Sequence, residues 1–152
     1  MYRPAEGKDA ADRSVSCLVG RQLTAADPSA APGSWVFQFG ADCRLTIGGT
    51  WRLIKGGMVM VAGGDHQQLF GLTEPVDASR RVLEGIAYAV IKKASFDDVS
   101  GDLTIEFSKD LRLQILTDSS GYESWTLWRP DGTQLVADGG GRVLPYARTA
   151  DR

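Results

Sequence analysis

Leu103-Thr104-Ile105-Glu106-Phe107, then Ser108-Lys109-Asp110, then Leu111-Arg112-Leu113-Gln114-Ile115 is the stretch that decides the fold. Apolar and polar residues alternate on both sides of a three-residue turn ending in Asp. Period-two alternation places every second side chain on one face, so the stretch reads as two half-buried strands joined in a hairpin. The same pattern stands 68 residues earlier without a gap: Trp35-Val36-Phe37-Gln38-Phe39, Gly40-Ala41-Asp42, Cys43-Arg44-Leu45-Thr46-Ile47.

The correspondence extends outward in both directions. Leu18-Val19-Gly20 matches Leu83-Glu84-Gly85 at an offset of 65, and Trp51-Arg52-Leu53 matches Trp125-Thr126-Leu127 at an offset of 74. A turn (Lys55-Gly56-Gly57, Pro130-Asp131-Gly132) and a short apolar run (Met58 to Ala62, Thr133 to Ala137) then close each unit in glycines. Repeated landmarks in one order point to an internal duplication, with repeat units at about 17–64 and 82–141. The expected strands are 18–25, 35–39, 43–47, 50–54 and 58–62, then 85–94, 103–107, 111–117, 122–128 and 133–137. Residues 86–94 also fit a helical face and are read as strand from the repeat. The connector 65–82 carries Pro75 and, beyond Leu83, Gly85, the punctuation of one short helix.

The resulting fold class is all-β, with this one short connecting helix: a sandwich or partly closed barrel of two β units. One β domain is expected over 16–141, with tails at 1–15 and 142–152. Its core is drawn from the alternating positions Phe37, Phe39, Leu45, Ile47, Trp51, Leu53, Ile105, Phe107, Leu113, Ile115, Trp125 and Leu127.

Composition bounds the function. The chain has 152 residues, a formal net charge of −2 and 43% hydrophobic residues, ordinary values for one globular domain. Basic residues gather only as Arg80-Arg81 and Lys92-Lys93, whereas nucleic-acid binding needs a basic stripe. The longest apolar run, Met58 to Ala62, falls far below the ~18 residues of a membrane span. The charged N-terminal stretch has no apolar signal region. Two cysteines, Cys17 and Cys43, do not form a disulfide framework, so a cytoplasmic protein with free thiols is expected. Alanine, glycine, arginine and aspartate are abundant, as in proteins of GC-rich bacteria.

Catalytic and metal motifs are not evident. His66 is the only histidine, and a nucleophilic triad would have to use it; beside Asp65 it reads as a loop side chain. Two Cys and one His do not supply a zinc ligand set. Asp97, Asp98 and Asp102 lack the spacing of a calcium loop and read as a hairpin turn. The glycine pairs precede neither a dinucleotide fingerprint nor a P-loop lysine. No cofactor or metal is expected, and the chain reads as non-catalytic.

Asp118-Ser119-Ser120-Gly121-Tyr122-Glu123 is the six-residue excess of the second unit over the first. The repeated unit does not require it, and Tyr with carboxylates at a loop tip suits recognition of a protein partner. Asp118, Tyr122, Glu123 and the nearby Trp128 are the candidate partner-binding residues. Trp51 and Trp125 are core residues, or the lining of a small-molecule pocket between the units in an alternative reading. A carboxylate enzyme using His66 is a third. The oligomeric state, monomer or homodimer, stays open.

At Leu83-Glu84-Gly85, Leu103 to Ile115, Tyr122-Glu123-Ser124-Trp125-x-Leu127 and Asp131-Gly132, the chain resembles a family of small uncharacterised bacterial proteins. Some of these resemble immunity proteins that neutralise toxins. Lys109-Asp110 departs from the Asp-Gly turn usual there. The resemblance implies binding by coverage of a partner, and no catalysis.

Overall fold

The computed structural model describes residues 2–4 and 13–148. Its strands are β1 (Tyr2–Pro4), β2 (Ala25–Pro28), β3 (Trp35–Gln38), β4 (Arg44–Ile47), β5 (Thr50–Lys55), β6 (Met58–Ala62), β7 (Ile91–Phe96), β8 (Leu103–Phe107), β9 (Leu111–Leu116), β10 (Trp125–Trp128), β11 (Gln134–Ala137) and β12 (Val143–Arg148), with one helix, α1 (Ala78–Ile86). They form a seven-stranded sheet, β1-β12-β11-β10-β4-β3-β2, and a five-stranded sheet, β6-β5-β9-β8-β7. All pairings are antiparallel. The sheets face each other as a sandwich and do not close into a barrel.

The chain changes sheets twice, in matching ways. β2, β3 and β4 lie in the larger sheet and β5 and β6 in the smaller; β7, β8 and β9 lie in the smaller and β10 and β11 in the larger. Exchanging the sheets superposes one strand order on the other. The registers agree residue by residue. Phe37 lies opposite Leu45 and Ile105 opposite Leu113; Trp125 lies opposite Ile47 and Trp51 opposite Ile115. A single shift in any strand would turn its apolar set to solvent.

Alternation sets the core. β3 and β4 bury Trp35, Phe37, Leu45 and Ile47, and β8 and β9 bury Leu103, Ile105, Phe107, Leu111, Leu113 and Ile115. All twelve expected core positions are buried in one continuous cluster spanning both sheets.

The first strand of each unit differs from expectation. Residues 18–25 are not a strand: a 3₁₀ turn occupies Ser16–Leu18, Gly20 takes φ +86°, and β2 begins at Ala25. Residues 85–94 divide between the end of α1 and β7. The helix wins because Asp77 Oδ1 accepts the Arg80 N–H at 3.1 Å, and Arg80 pairs with Glu84 one turn on at 2.8 Å. Its Ala78, Val82 and Ile86 form one buried face. Gly85 suits that packing, since a Cβ there would stand 3.0 Å from Leu53 Cδ2. α1 packs against β2 and β6, while the 3₁₀ turn packs against β7. The Leu-x-Gly landmarks thus fall at the end of the 3₁₀ turn and within α1.

The ends also differ from the expected tails. Val143–Arg148 pairs with β11, and Tyr2–Pro4 pairs with β12. Val143 and Pro145 are buried in turn, and the Tyr146 hydroxyl donates to Asp138 at 3.0 Å. Residues 1, 5–12 and 149–152 of the expected tails lie outside the described residues.

Candidate functional site

One end of the sandwich gathers the 29–34 loop, the β4–β5 corner, the Gly63–Asp65 turn and the β9–β10 loop. The corner is made by Gly48 and Gly49 because the longer loop lies directly on it. A Cβ on Gly48 would stand 2.8 Å from the Glu123 carbonyl, and one on Gly49 would collide with the Leu116 carbonyl. Both glycine N–H groups donate to the Ser124 carbonyl, at 2.9 and 3.0 Å.

The β9–β10 loop is pinned along its length. Thr50 Oγ1 donates to Asp118 Oδ2 at 2.8 Å, and the Gly121 and Tyr122 N–H groups donate to Ser119 Oγ at 3.1 and 2.9 Å. Gly140 N–H reaches the Ser119 carbonyl at 2.9 Å, and Ser124 N–H the Ala137 carbonyl at 3.0 Å. Gly139 admits the loop from behind, where a Cβ would stand 2.6 Å from Gly121 C. On this scaffold the Tyr122 side chain projects into solvent, 83% exposed. Together with Ala31, Pro32 and Ser34 across the gap, the loop lines a depression of about 770 Å³ that also contains Asp118 and Glu123.

Beside it lies a smaller cavity of about 330 Å³, which shares Gly48 and Asp118 with the first and has Trp35 and Trp51 in its wall. Trp51 is fully buried, packs edge-on to Trp35 and Phe37 at 5.0 Å, and its Nε1 has no hydrogen-bond partner. Trp125 is also buried, but its Nε1 donates to the Gly101 carbonyl at 2.8 Å. The two tryptophans occupy matching positions in opposite sheets; Trp51 lines this cavity, and Trp125 lines another of about 250 Å³.

Asp118, Tyr122 and Glu123 are therefore brought together, and Trp128 is not. It ends β10 while the loop precedes that strand, and it is half-buried beneath the Arg44 guanidinium at 4.5 Å. His66 is structural: its Nδ1 accepts the Ala78 N–H at 3.1 Å at the start of α1, and its ring packs edge-on against Trp35. Its described hydrogen-bond partners include no carboxylate. Asp97 caps its own turn by accepting from Val99 and Ser100, and these backbone N–H groups hold its carboxyl below the usual range. Asp102 accepts the Thr117 N–H at 2.8 Å. Among the described residues no His, Cys or carboxylate cluster is arranged to hold a metal. A further depression of about 460 Å³ lies against the outer face of the smaller sheet, where Arg52 Nε donates to Gln114 at 2.8 Å.

Sequence reading did not find the facing wall of the site, Ala31, Pro32 and Ser34, nor Thr50. The Gly48-Gly49 doublet was the available signal, since two glycines opposite a length excess mark a close backbone approach. Among the described residues no helix is long and apolar enough to cross a membrane. No curated protein and no solved structure gives a significant match to this chain. A family model does match, over residues 30–145, a span running from the 29–34 loop through the whole β9–β10 loop and into β12. The chain belongs to the family of unknown function DUF6188.

Proposed function

We propose that this protein is a non-catalytic module that binds another protein through the β9–β10 end of the sandwich. Tyr122 is the anchor, and Asp118 and Glu123 form an acidic flank for a basic side chain of the partner. The observation that carries the reading is the exposure of Tyr122 on a loop fixed by hydrogen bonds along its length. A pre-ordered aromatic loses little conformational freedom on binding, which is the property of interface hot spots. Trp128, at the other end of β10, is left out of this site.

An immunity-like role, in which the module covers the working surface of a toxin, is the specific form that the family resemblance favours. A bacterial cytoplasm fits the composition and the two free thiols. Descent from a duplicated β unit is supported by the matching strand orders and registers. The orphan Nε1 of Trp51 beside the 330 Å³ cavity favours a second reading, a pocket for a small ligand with a hydrogen-bond acceptor.

The test is affinity capture from the native lysate, with wild type beside a Tyr122→Ala/Glu123→Ala variant shown by circular dichroism to be folded. One stoichiometric protein held by wild type and lost by the variant is the expected result. Capture indifferent to the substitutions, or no protein captured, would overturn it.

A further inference from the structure

The opposite end of the sandwich holds an arrangement with different chemistry. Cys17 lies in the 3₁₀ turn and Cys43 stands immediately before β4; both are free thiols and lie close enough to perturb each other, Cys17 half-buried and Cys43 fully buried. Arg21 ties their two segments together. Its Nε donates to the Cys17 carbonyl at 2.8 Å, and its Nη1 to the Phe39 carbonyl at 3.1 Å and to Asp42 Oδ1 at 2.6 Å. Arg129, only 8% exposed, donates to the Ser14 carbonyl at 3.2 Å. The repeat offsets place Val82 and Leu111 at the corresponding positions of the second unit, both ordinary core side chains. Packing at this place in the fold is therefore met by two apolar residues in the second unit and by two thiols in the first.

We propose that Cys17 and Cys43 are a peroxide-reactive dithiol, in which Cys17 is the attacking sulfur and Cys43 the resolving one. The groups facing Cys17 are Cys43, Arg129, Arg21 and, through Arg21, Asp42. Cys43, Arg129 and Arg21 beside the Cys17 thiol lower its pKa against the opposing effect of burial, to about 7. The neighbouring Cys17 sulfur, with burial, raises Cys43 far above the usual thiol range, which keeps its proton in place until the second step.

The Cys17 thiolate attacks one oxygen of a hydroperoxide. An S–O bond forms as the O–O bond breaks; Cys17 is oxidised to the sulfenic acid, and the departing oxygen takes a proton and leaves as water or alcohol. Cys43 then attacks the sulfenic sulfur. The S–S bond forms, the S–O bond breaks, and hydroxide leaves with the Cys43 proton as water. Two thiols and one hydroperoxide give one disulfide, water and water or alcohol. Cys17 is only partly buried whereas Cys43 is fully buried, which directs the first attack to Cys17.

The test uses hydrogen peroxide on the folded chain, quenched with a thiol-alkylating reagent. The expected product is an intramolecular disulfide: loss of two hydrogens in the intact mass, no alkylation, and one tryptic species joining the Cys17 and Cys43 peptides. The rate should rise with pH with a midpoint near 7, below the ~8.5 of an ordinary thiol. Cys43→Ser should stop at a Cys17 sulfenic acid trapped by dimedone, and Cys17→Ser should leave Cys43 reduced. Two alkylatable thiols after peroxide treatment of wild type, or disulfides formed only between chains, would overturn the proposal. The wild-type measurement stands even if either variant fails to fold.

Discussion

The β4–β5 corner and the β9–β10 loop make the same connection from one sheet to the other, yet the second is six residues longer. The short corner is glycine because the long loop rests on it, and the long loop is fixed because the corner accepts it. The strands flanking both have identical register, so the fold is served by the short form. The excess carries Asp118, Tyr122 and Glu123, none of them needed by the core. The difference separates what builds the sandwich from what the sandwich presents.

The two tryptophans that follow these connections sharpen the comparison at its most costly point. Trp51→Ala and Trp125→Ala should each destabilise by about 3–5 kcal/mol in urea titrations, because each empties a fully buried ring site. A cost below about 1 kcal/mol at either would break the equivalence of the two positions. Gly49→Ala should cost about 1–3 kcal/mol, since its Cβ meets the Leu116 carbonyl. Gly64→Ala, with open space around the built Cβ, should stay within about 0.5 kcal/mol in the same titration.

A smaller effect distinguishes the two indoles. Trp125→Phe leaves the buried Gly101 carbonyl without its donor, whereas Trp51→Phe removes an N–H that has no partner. The first should cost about 1–2 kcal/mol more than the second. Equal costs would mean that the Trp125 hydrogen bond adds nothing. The smallest effect belongs to the loop tip: Tyr122→Ala/Glu123→Ala should change the unfolding free energy by less than about 0.5 kcal/mol, both side chains being exposed.

The hairpins 35–47 and 103–115 were legible in the sequence because alternation and turn chemistry agree there, and the core followed from them. The exchange between sheets was not, because Trp51 and Leu53 alternate identically whichever sheet receives them. Residues 86–94 misled because Ile86 belongs to a helical face and Ile91 to a strand, while the break between them lies at Ala87 and Tyr88, the latter at φ +66°. For the proposed site, the length excess was the signal that singled out Asp118, Tyr122 and Glu123. Trp128 lies away from these residues, since a strand carries its last residue away from the loop that precedes it. Cys17 and Cys43 come from distant segments that Arg21 ties together, which no local pattern announces.

The most direct test removes the difference itself. Deleting residues 118–123 gives the second connection the length of the first. The deleted chain should unfold in one cooperative transition, with the near-ultraviolet dichroism of the packed tryptophans retained, and should lose the protein captured by wild type. A chain that no longer folds, or one that folds and still holds that protein, would contradict the separation of scaffold from site.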